Sequence, residues 1–67
     1  MIDVKETIDS AGISQYRFAK LVDRAKTQVY RWYTLGVQPS TLMESHIRAV
    51  CKREGIDIVE KTIDSTS

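Results

Sequence analysis

Five side chains with hydrogen-bonding or cationic groups follow closely on one another in the centre of the chain: Lys26, Thr27, Gln28, Tyr30 and Arg31. Val29 and Trp32 interrupt them at the spacing of the buried side of a helix, so the five would face outward. Amide, hydroxyl, ammonium and guanidinium groups hydrogen-bond to base edges and to phosphate oxygens. The pattern therefore indicates a surface suited to double-stranded DNA.

The distribution of charge supports this interpretation. The net charge is only +1, but residues 15–31 carry five basic groups against Asp23, which gives +4. Residues 1–14 carry −2 and residues 32–67 carry −1. Binding to a polyanion depends on such local concentration of positive charge. A solvated basic helix face without a partner is the alternative that charge alone leaves open.

Other kinds of chemistry find little support. Cys51 and His46 are the only residues of their types, which excludes an internal disulfide and argues against a zinc site. No set of nucleophile, base and acid is brought together by the spacing, so we expect neither an enzyme nor a cofactor or small-molecule ligand. His46 is expected at the surface and Cys51 to be an unreactive thiol.

The composition is that of one small globular domain. No apolar stretch is long enough for a membrane span, and the N-terminal residues lack the pattern of a signal peptide. Together with a single cysteine, this predicts a cytoplasmic protein with no membrane partner.

Helix-capping residues divide the chain into four predicted helices. Asp3 would cap a helix that runs to about Ser10, and Ser14 one from Gln15 to Val22. A third helix is predicted over about Lys26 to Thr34. Ser40 or Thr41 would cap a fourth that ends at Gly55, with Thr41 and Glu44 at the spacing of a capping box.

The residues after the fourth helix allow two interpretations. The stretch Ile56–Glu60 is rich in β-branched residues and could form a short strand. Such a strand would need pairing across a dimer or with the N-terminal residues. We predict one domain over residues 1–61 and a frayed tail at 62–67.

The second and third helices are separated only by Asp23-Arg24-Ala25, which suits two helices that cross steeply. The small Ala19 would allow them to approach. Four apolar side chains would hold the pair together: Phe18, Val22, Val29 and Trp32.

The stretch from Gln15 to Trp32 resembles the helix-turn-helix of the phage Cro and repressor superfamily. It begins with Gln, has Ala four residues later, and has an aliphatic residue ten further on, followed after one residue by Arg and a large apolar residue. The occurrence of Gly36 after the third predicted helix, with Pro39 close behind it, is also similar to the small Cro-like and YdaS-like proteins. Two positions depart from the family pattern: Asp23 stands where Gly is usual, and Arg24 where an aliphatic residue is usual.

The resemblance implies a mainly α, four-to-five-helix, lambda-repressor-like domain, or an α+β Cro-like domain if the C-terminal strand forms. It also implies site roles. Lys26, Thr27, Gln28 and Arg31 would face the major groove, where Gln28 could pair with adenine, and Arg31 with guanine or a phosphate. Tyr30 would contact a phosphate or a thymine methyl group. Three further residues would bind phosphates: Gln15, Arg17 and Lys20.

The function expected from these features is transcriptional regulation by a homodimer that binds operator DNA, because one helix reads only a few base pairs. Two alternatives stay open. One is a protein-interaction module such as an antitoxin or anti-regulator, which would use the acidic first helix and the apolar tail residues Ile56, Ile58, Val59 and Ile63. The other is an excisionase-like architectural DNA binder.

Overall fold

A computed structural model of the protein describes residues 1–61, and its regular structure is helical. The helices are α1 (Val4–Ala11), α2 (Gln15–Val22), α3 (Lys26–Thr34) and α4 (Thr41–Glu54). The predicted mainly α class is confirmed. None of these helices is long and apolar enough to cross a membrane. The predicted frayed tail, residues 62–67, lies outside the described residues.

The helices begin and end where local signals predicted. The side chains of Asp3 and Ser14 accept hydrogen bonds from the backbone N–H groups of Glu6 and Arg17, at 3.1 and 3.0 Å. Gly12 and Gly55 end α1 and α4 in the left-handed conformation. Each cap satisfies backbone groups that a helix end leaves without partners.

The predicted capping box at the start of α4 is wrong. Ser40, not Thr41, accepts the hydrogen bond from the N–H of Met43, at 3.2 Å. The Glu44 carboxylate instead bonds to the guanidinium of Arg48 and to the N–H of Ile2. An ion pair with Arg48, one turn further along α4, and a hydrogen bond from the N-terminal backbone thus take the place of the capping-box partner.

A single core joins the four helices, with its densest packing between α2 and α3. Phe18 and Val22 of α2 lie against Val29 and Trp32 of α3, and all four are buried. The other members of this core come from the N-terminal segment, α1, α2 and α4: Ile2, Val4, Ile8, Ala19, Met43, Ile47, Val50 and Cys51.

Residues 56–61 run back along the N-terminal residues. The N–H of Asp3 donates to the carbonyl of Val59 at 2.8 Å, and that of Lys61 to the carbonyl of Met1 at 2.7 Å. Ile2 and Glu60 form one antiparallel bridge, and residues 1–61 contain no longer strand. Of the two pairings expected for this segment, the structure contains the intramolecular one, as a bridge rather than as a strand.

Thr7 of α1 anchors this pairing. Its side chain is fully buried; the hydroxyl donates to the carbonyl of Asp3 at 2.7 Å and accepts from the N–H of Val59 at 3.1 Å. Thr7→Val keeps the shape but leaves that N–H without a partner, so we expect the free energy of unfolding to fall by about 1–3 kcal/mol. Urea unfolding followed by Trp32 fluorescence measures the loss. Thr7→Ser keeps the hydroxyl, so amide exchange at Val59 should accelerate in the valine variant only; equal exchange in both would contradict this role.

A network of ion pairs also connects residues 56–61 to α4 and to the N-terminus. The Glu60 carboxylate accepts hydrogen bonds from the Arg48 guanidinium at 2.6 and 3.0 Å and from the N-terminal ammonium at 3.1 Å. Arg48 also reaches Glu44, at 3.2 Å. The hydrogen bonds from Arg48 and the N-terminus lower the pKa of Glu60 from its ordinary 4.5 to about 2.

This network predicts a loss of stability in acid. Because the pKa of Glu60 is lower in the folded than in the unfolded chain, its contribution is complete above about pH 5 and disappears as the pH falls towards 2. The thermal unfolding midpoint, measured over that range with the native N-terminus, should fall less steeply in Glu60→Gln than in the wild type. Glu6→Gln, at an exposed position without an ion pair in residues 1–61, is the control. Parallel curves for Glu60→Gln and the wild type would count against the network.

Candidate nucleic-acid interface

The bend between α2 and α3 is built on an aspartate. Asp23 has φ 56° and ψ 50°, a left-handed conformation that Asp tolerates better than most residues. The N–H of Arg24 donates to the carbonyl of Ala19 at 3.0 Å, which closes the end of α2. The Arg24 side chain is exposed and donates to the carbonyl of Asp23 at 2.9 Å. It therefore does not cover the core, as an aliphatic residue at this position would.

Behind the bend, the apolar residues predicted to hold α2 and α3 together do so. Ala19 is 4% exposed, and its small side chain lies in the core that the two helices share. Trp32 is 5% exposed, so its ring belongs to the core and is not available to stack on a base. The sides of α2 and α3 opposite this core face solvent.

The five polar side chains of α3 are all exposed; we call them the reading face (Lys26, Thr27, Gln28, Tyr30 and Arg31). At 3.6 residues per turn, Thr27 and Arg31 lie one turn apart near its centre. Gln28 lies on the side towards the α3–α4 connection, and Lys26 on the side towards α2. Of the remaining predicted site residues, Arg17 and Lys20 are exposed on α2, and Gln15 is half-buried at its first position.

The cations of the central region form no ion pairs within residues 1–61, which is also true of Lys52 and Lys61 elsewhere in the chain. Within residues 1–61, ion pairs involve the N-terminus, Lys5, Arg48 and Arg53. Five others, which we call the basic surface, form no ion pair in that part of the chain: Arg17, Lys20, Arg24, Lys26 and Arg31. Since no carboxylate neutralises them, their charge is available to an anionic partner.

The ring of Tyr16 lies close to two of these cations, and sequence reasoning did not predict this role for it. The ammonium of Lys20 lies 4.9 Å and that of Lys26 5.9 Å from the centre of its ring. The attraction of each cation to the ring draws charges from α2 and α3 towards one point. The spacing of Tyr16 and Lys20, four residues apart on one helix, was a signal for the first contact. The second depends on how α2 and α3 cross.

The start of α3 adds to the positive potential. Ala25 provides no side-chain cap, and the N–H groups of Lys26 and Thr27 have no hydrogen-bond partner within residues 1–61. The positive end of the helix dipole thus lies beside Lys26 and Arg24, an arrangement that favours phosphate oxygens.

A groove separates the reading face from the α3–α4 connection. Trp32 and Met43 contribute to it from the edge of the core, whereas Gln28 and Arg31 contribute polar groups. Its full lining consists of Ala25, Thr27, Gln28, Arg31, Trp32, Val37, Gln38, Pro39, Ser40 and Met43. A groove with a partly apolar lining therefore runs along one side of the reading face.

Two expectations for single residues have different outcomes. His46 is half-buried rather than at the surface, because its Nε2 lies 2.8 Å from the carbonyl of Val22 and so ties α4 to the end of α2. Cys51 is fully buried, and burial raises the pKa of its thiol, as an unreactive cysteine requires. Within residues 1–61, no group of three or more His, Cys, Asp and Glu could hold a metal ion.

Of the two surfaces that a protein-interaction module was expected to use, the acidic side chains of α1, Glu6 and Asp9, are exposed, whereas the apolar tail packs against its own chain. Ile56 and Ile58 are partly buried against the core, and the backbone of Val59 is hydrogen-bonded to Asp3 and Thr7. Ile63, the other residue of that expected surface, lies outside the described residues. The apolar tail is therefore part of the fold as far as residue 59.

Comparison with protein-family models, with curated proteins and with solved structures gives no match for this chain.

Proposed function

We propose that the protein is a transcriptional regulator that binds specific double-stranded DNA through a helix-turn-helix formed by α2 and α3. In this proposal α3 enters the major groove, and the domain is of the lambda-repressor-like type. The observation that carries the proposal is the combination of an exposed polar α3 with five cations that lack ion pairs in residues 1–61.

The two kinds of residue would have separate tasks. Gln28 and Arg31 present bidentate groups that match base edges, so they would set the sequence preference. Arg17, Lys20 and Lys26 would contact phosphates on either side of the groove and fix the orientation of the protein. Gln15 and Tyr30 would add neutral phosphate contacts at the edges.

The test begins with a duplex selected by the protein from a random-sequence pool, compared with a scrambled duplex of the same composition. Fluorescence anisotropy measures both affinities for the wild type, Gln28→Ala and Arg31→Ala. A lost base contact costs about 1–3 kcal/mol, or roughly 5- to 150-fold in affinity for the selected duplex. The affinity for scrambled DNA should change much less in Gln28→Ala, which removes no charge.

The matched control is the double variant Ser45→Ala/Lys52→Ala on the exposed side of α4. It removes one neutral polar group and one cation outside α2 and α3, so it should bind the selected duplex as the wild type does. If no duplex is enriched, or if the α3 variants and the control bind alike, the proposal fails, and a protein partner becomes the better explanation of the exposed surface.

A further inference from the structure

A second groove lies between α1, the start of α2 and α3, and DNA binding does not account for it. Its volume of about 460 Å³ falls within the range of roughly 300–1,000 Å³ that ligand sites occupy. The lining includes the exposed Tyr16, the half-buried Ile13 and Tyr33, and the buried Ile8 of the core. Because the DNA backbone presents phosphate oxygens to a protein, a bound duplex would leave this apolar and aromatic lining without a matching partner.

One side of the groove is positively charged. Lys26 lines it, with its ammonium 5.9 Å from the centre of the Tyr16 ring, and the ammonium of Lys20 lies 4.9 Å from the same ring. Neither lysine forms an ion pair within residues 1–61. An anionic ligand in the groove would therefore meet two cations whose charge no carboxylate compensates.

Asp9 also lines the groove, but its charge is compensated within the fold. One oxygen of its carboxylate accepts a hydrogen bond from the hydroxyl of Tyr33 at 2.7 Å, and the other accepts one from the ammonium of Lys5 at 3.1 Å. That ammonium also lies 5.3 Å from the centre of the Tyr33 ring. These contacts hold the Tyr33 ring in the wall of the groove, and they reduce the repulsion that Asp9 would exert on an anionic ligand.

We propose that the groove binds an acidic peptide segment of a protein partner, which places one aromatic or aliphatic side chain against Ile13, Tyr16 and Tyr33. Carboxylates on either side of that anchor would face Lys20 and Lys26. Tyrosine rings are enriched at such interfaces, because they combine a large apolar area with a polar tip. Two cations on different helices suit several carboxylates along a chain better than the single charge of a small acid.

Such a partner would regulate the proposed DNA-binding surface. Lys20 and Lys26 are two of the cations proposed to contact phosphates, and they cannot compensate both ligands at once. An acidic segment in the groove would therefore compete with DNA and release the protein from it. This competition rests on the proposed function, whereas the binding of the peptide does not.

Capped pentapeptides with two glutamates on each side of a central phenylalanine or leucine test the proposal. NMR titration of the ¹⁵N-labelled protein without DNA gives both the affinity and the position of binding. The largest shifts are expected at the amides of Ile13, Tyr16 and Lys26. A central alanine should weaken binding about fivefold or more, because it removes the side chain that the groove buries. Glutamines in place of the glutamates should also weaken it, since they remove the attraction to the two lysines.

Two variants of the protein locate the anchor. Tyr16→Ala removes one wall of the groove at a position that is 54% exposed, so it should preserve the fold and weaken the phenylalanine peptide about fivefold or more. Leu42→Ala removes an exposed apolar side chain of α4 outside the groove and should bind that peptide as the wild type does. The thermal unfolding midpoint verifies that both variants are folded.

The proposal is overturned if neither peptide shifts the groove residues. It is also overturned if the alanine peptide or Tyr16→Ala binds as tightly as its counterpart, because the contact would then be an attraction of charges alone. Failure of the proposed function has a different signature. Peptide binding in the groove without binding of any selected duplex would refute only the regulator, and specific DNA binding without peptide binding would refute only the present inference.

Discussion

Replacing Trp32 with alanine is expected to lower the free energy of unfolding by about 3–5 kcal/mol, since it removes the largest buried side chain of α3 and leaves a cavity. A domain of this length has a total stability of about 3–10 kcal/mol, so the variant would lose much or all of its folded population. The loss is severe because Trp32 lies in the single core that α1, α2 and α4 share with α3. No second core compensates within residues 1–61.

Far-UV circular dichroism during urea unfolding measures this effect, because the variant has no tryptophan to report it. Trp32→Phe keeps an aromatic ring in the core and should lose clearly less. Tyr30→Ala removes an aromatic side chain from the exposed side of the same helix and should stay close to the wild type in stability. If Trp32→Ala were no less stable than Tyr30→Ala, Trp32 would not belong to the core, and a role at the DNA surface would need to be considered again.

The sequence was sufficient to place α1, α2 and α3 almost to the residue, because their limits depend on local chemistry. Asp3 and Ser14 bond to N–H groups three residues ahead, and Gly12 takes a conformation that glycine adopts freely. The apolar residues of α2 and α3 were recognised for the same reason, since a period of 3.6 residues needs no knowledge of the remaining fold.

Features that depend on distant residues were predicted less well. Glu44 has the spacing of a local cap, but its charge is compensated by Arg48 and its remaining oxygen bonds to Ile2, forty-two residues away. Polar neighbours in sequence predict a surface position for His46, whereas in the fold its ring lies against the carbonyl of Val22 at the end of α2. A one-dimensional pattern contains no information on such partners.

The candidate site shows the same difference between local features, which the sequence predicts, and features that depend on distant residues. The exposure of Gln28 and Arg31 followed from helical periodicity and is confirmed. Which cations lack ion pairs followed only in part: Glu44 lies four residues before Arg48 on one helix, a spacing visible in the sequence, whereas the pairing of Arg48 with Glu60 depends on the fold. The position of Tyr16 between Lys20 and Lys26 likewise required the crossing of α2 and α3.

The basic surface leads to the other large expected effect, a steep dependence of DNA binding on salt. Each phosphate that a cation neutralises contributes about −0.9 to the slope of log affinity against log salt concentration. With the three cations proposed to contact phosphates, Arg17, Lys20 and Lys26, raising the salt from about 50 to about 200 mM should weaken binding roughly 40-fold per protomer. Anisotropy titrations at several salt concentrations between these limits give the slope.

Variants assign the slope to particular residues. Lys20→Gln/Lys26→Gln removes two cations that lie on the Tyr16 ring, so the slope should become shallower by about 2 per protomer. Lys52→Gln/Arg53→Gln removes the same charge from the end of α4 and should leave the slope unchanged; a reduction there would extend the DNA contact to α4.

Because phosphates carry no sequence information, the Lys20/Lys26 variant should weaken selected and scrambled duplexes by the same factor. Gln28→Ala should instead weaken the selected duplex and leave the slope as it is. If both variants changed the slope and the preference together, α3 would not divide into base-reading and phosphate-binding residues, and the orientation proposed for it in the major groove would be wrong.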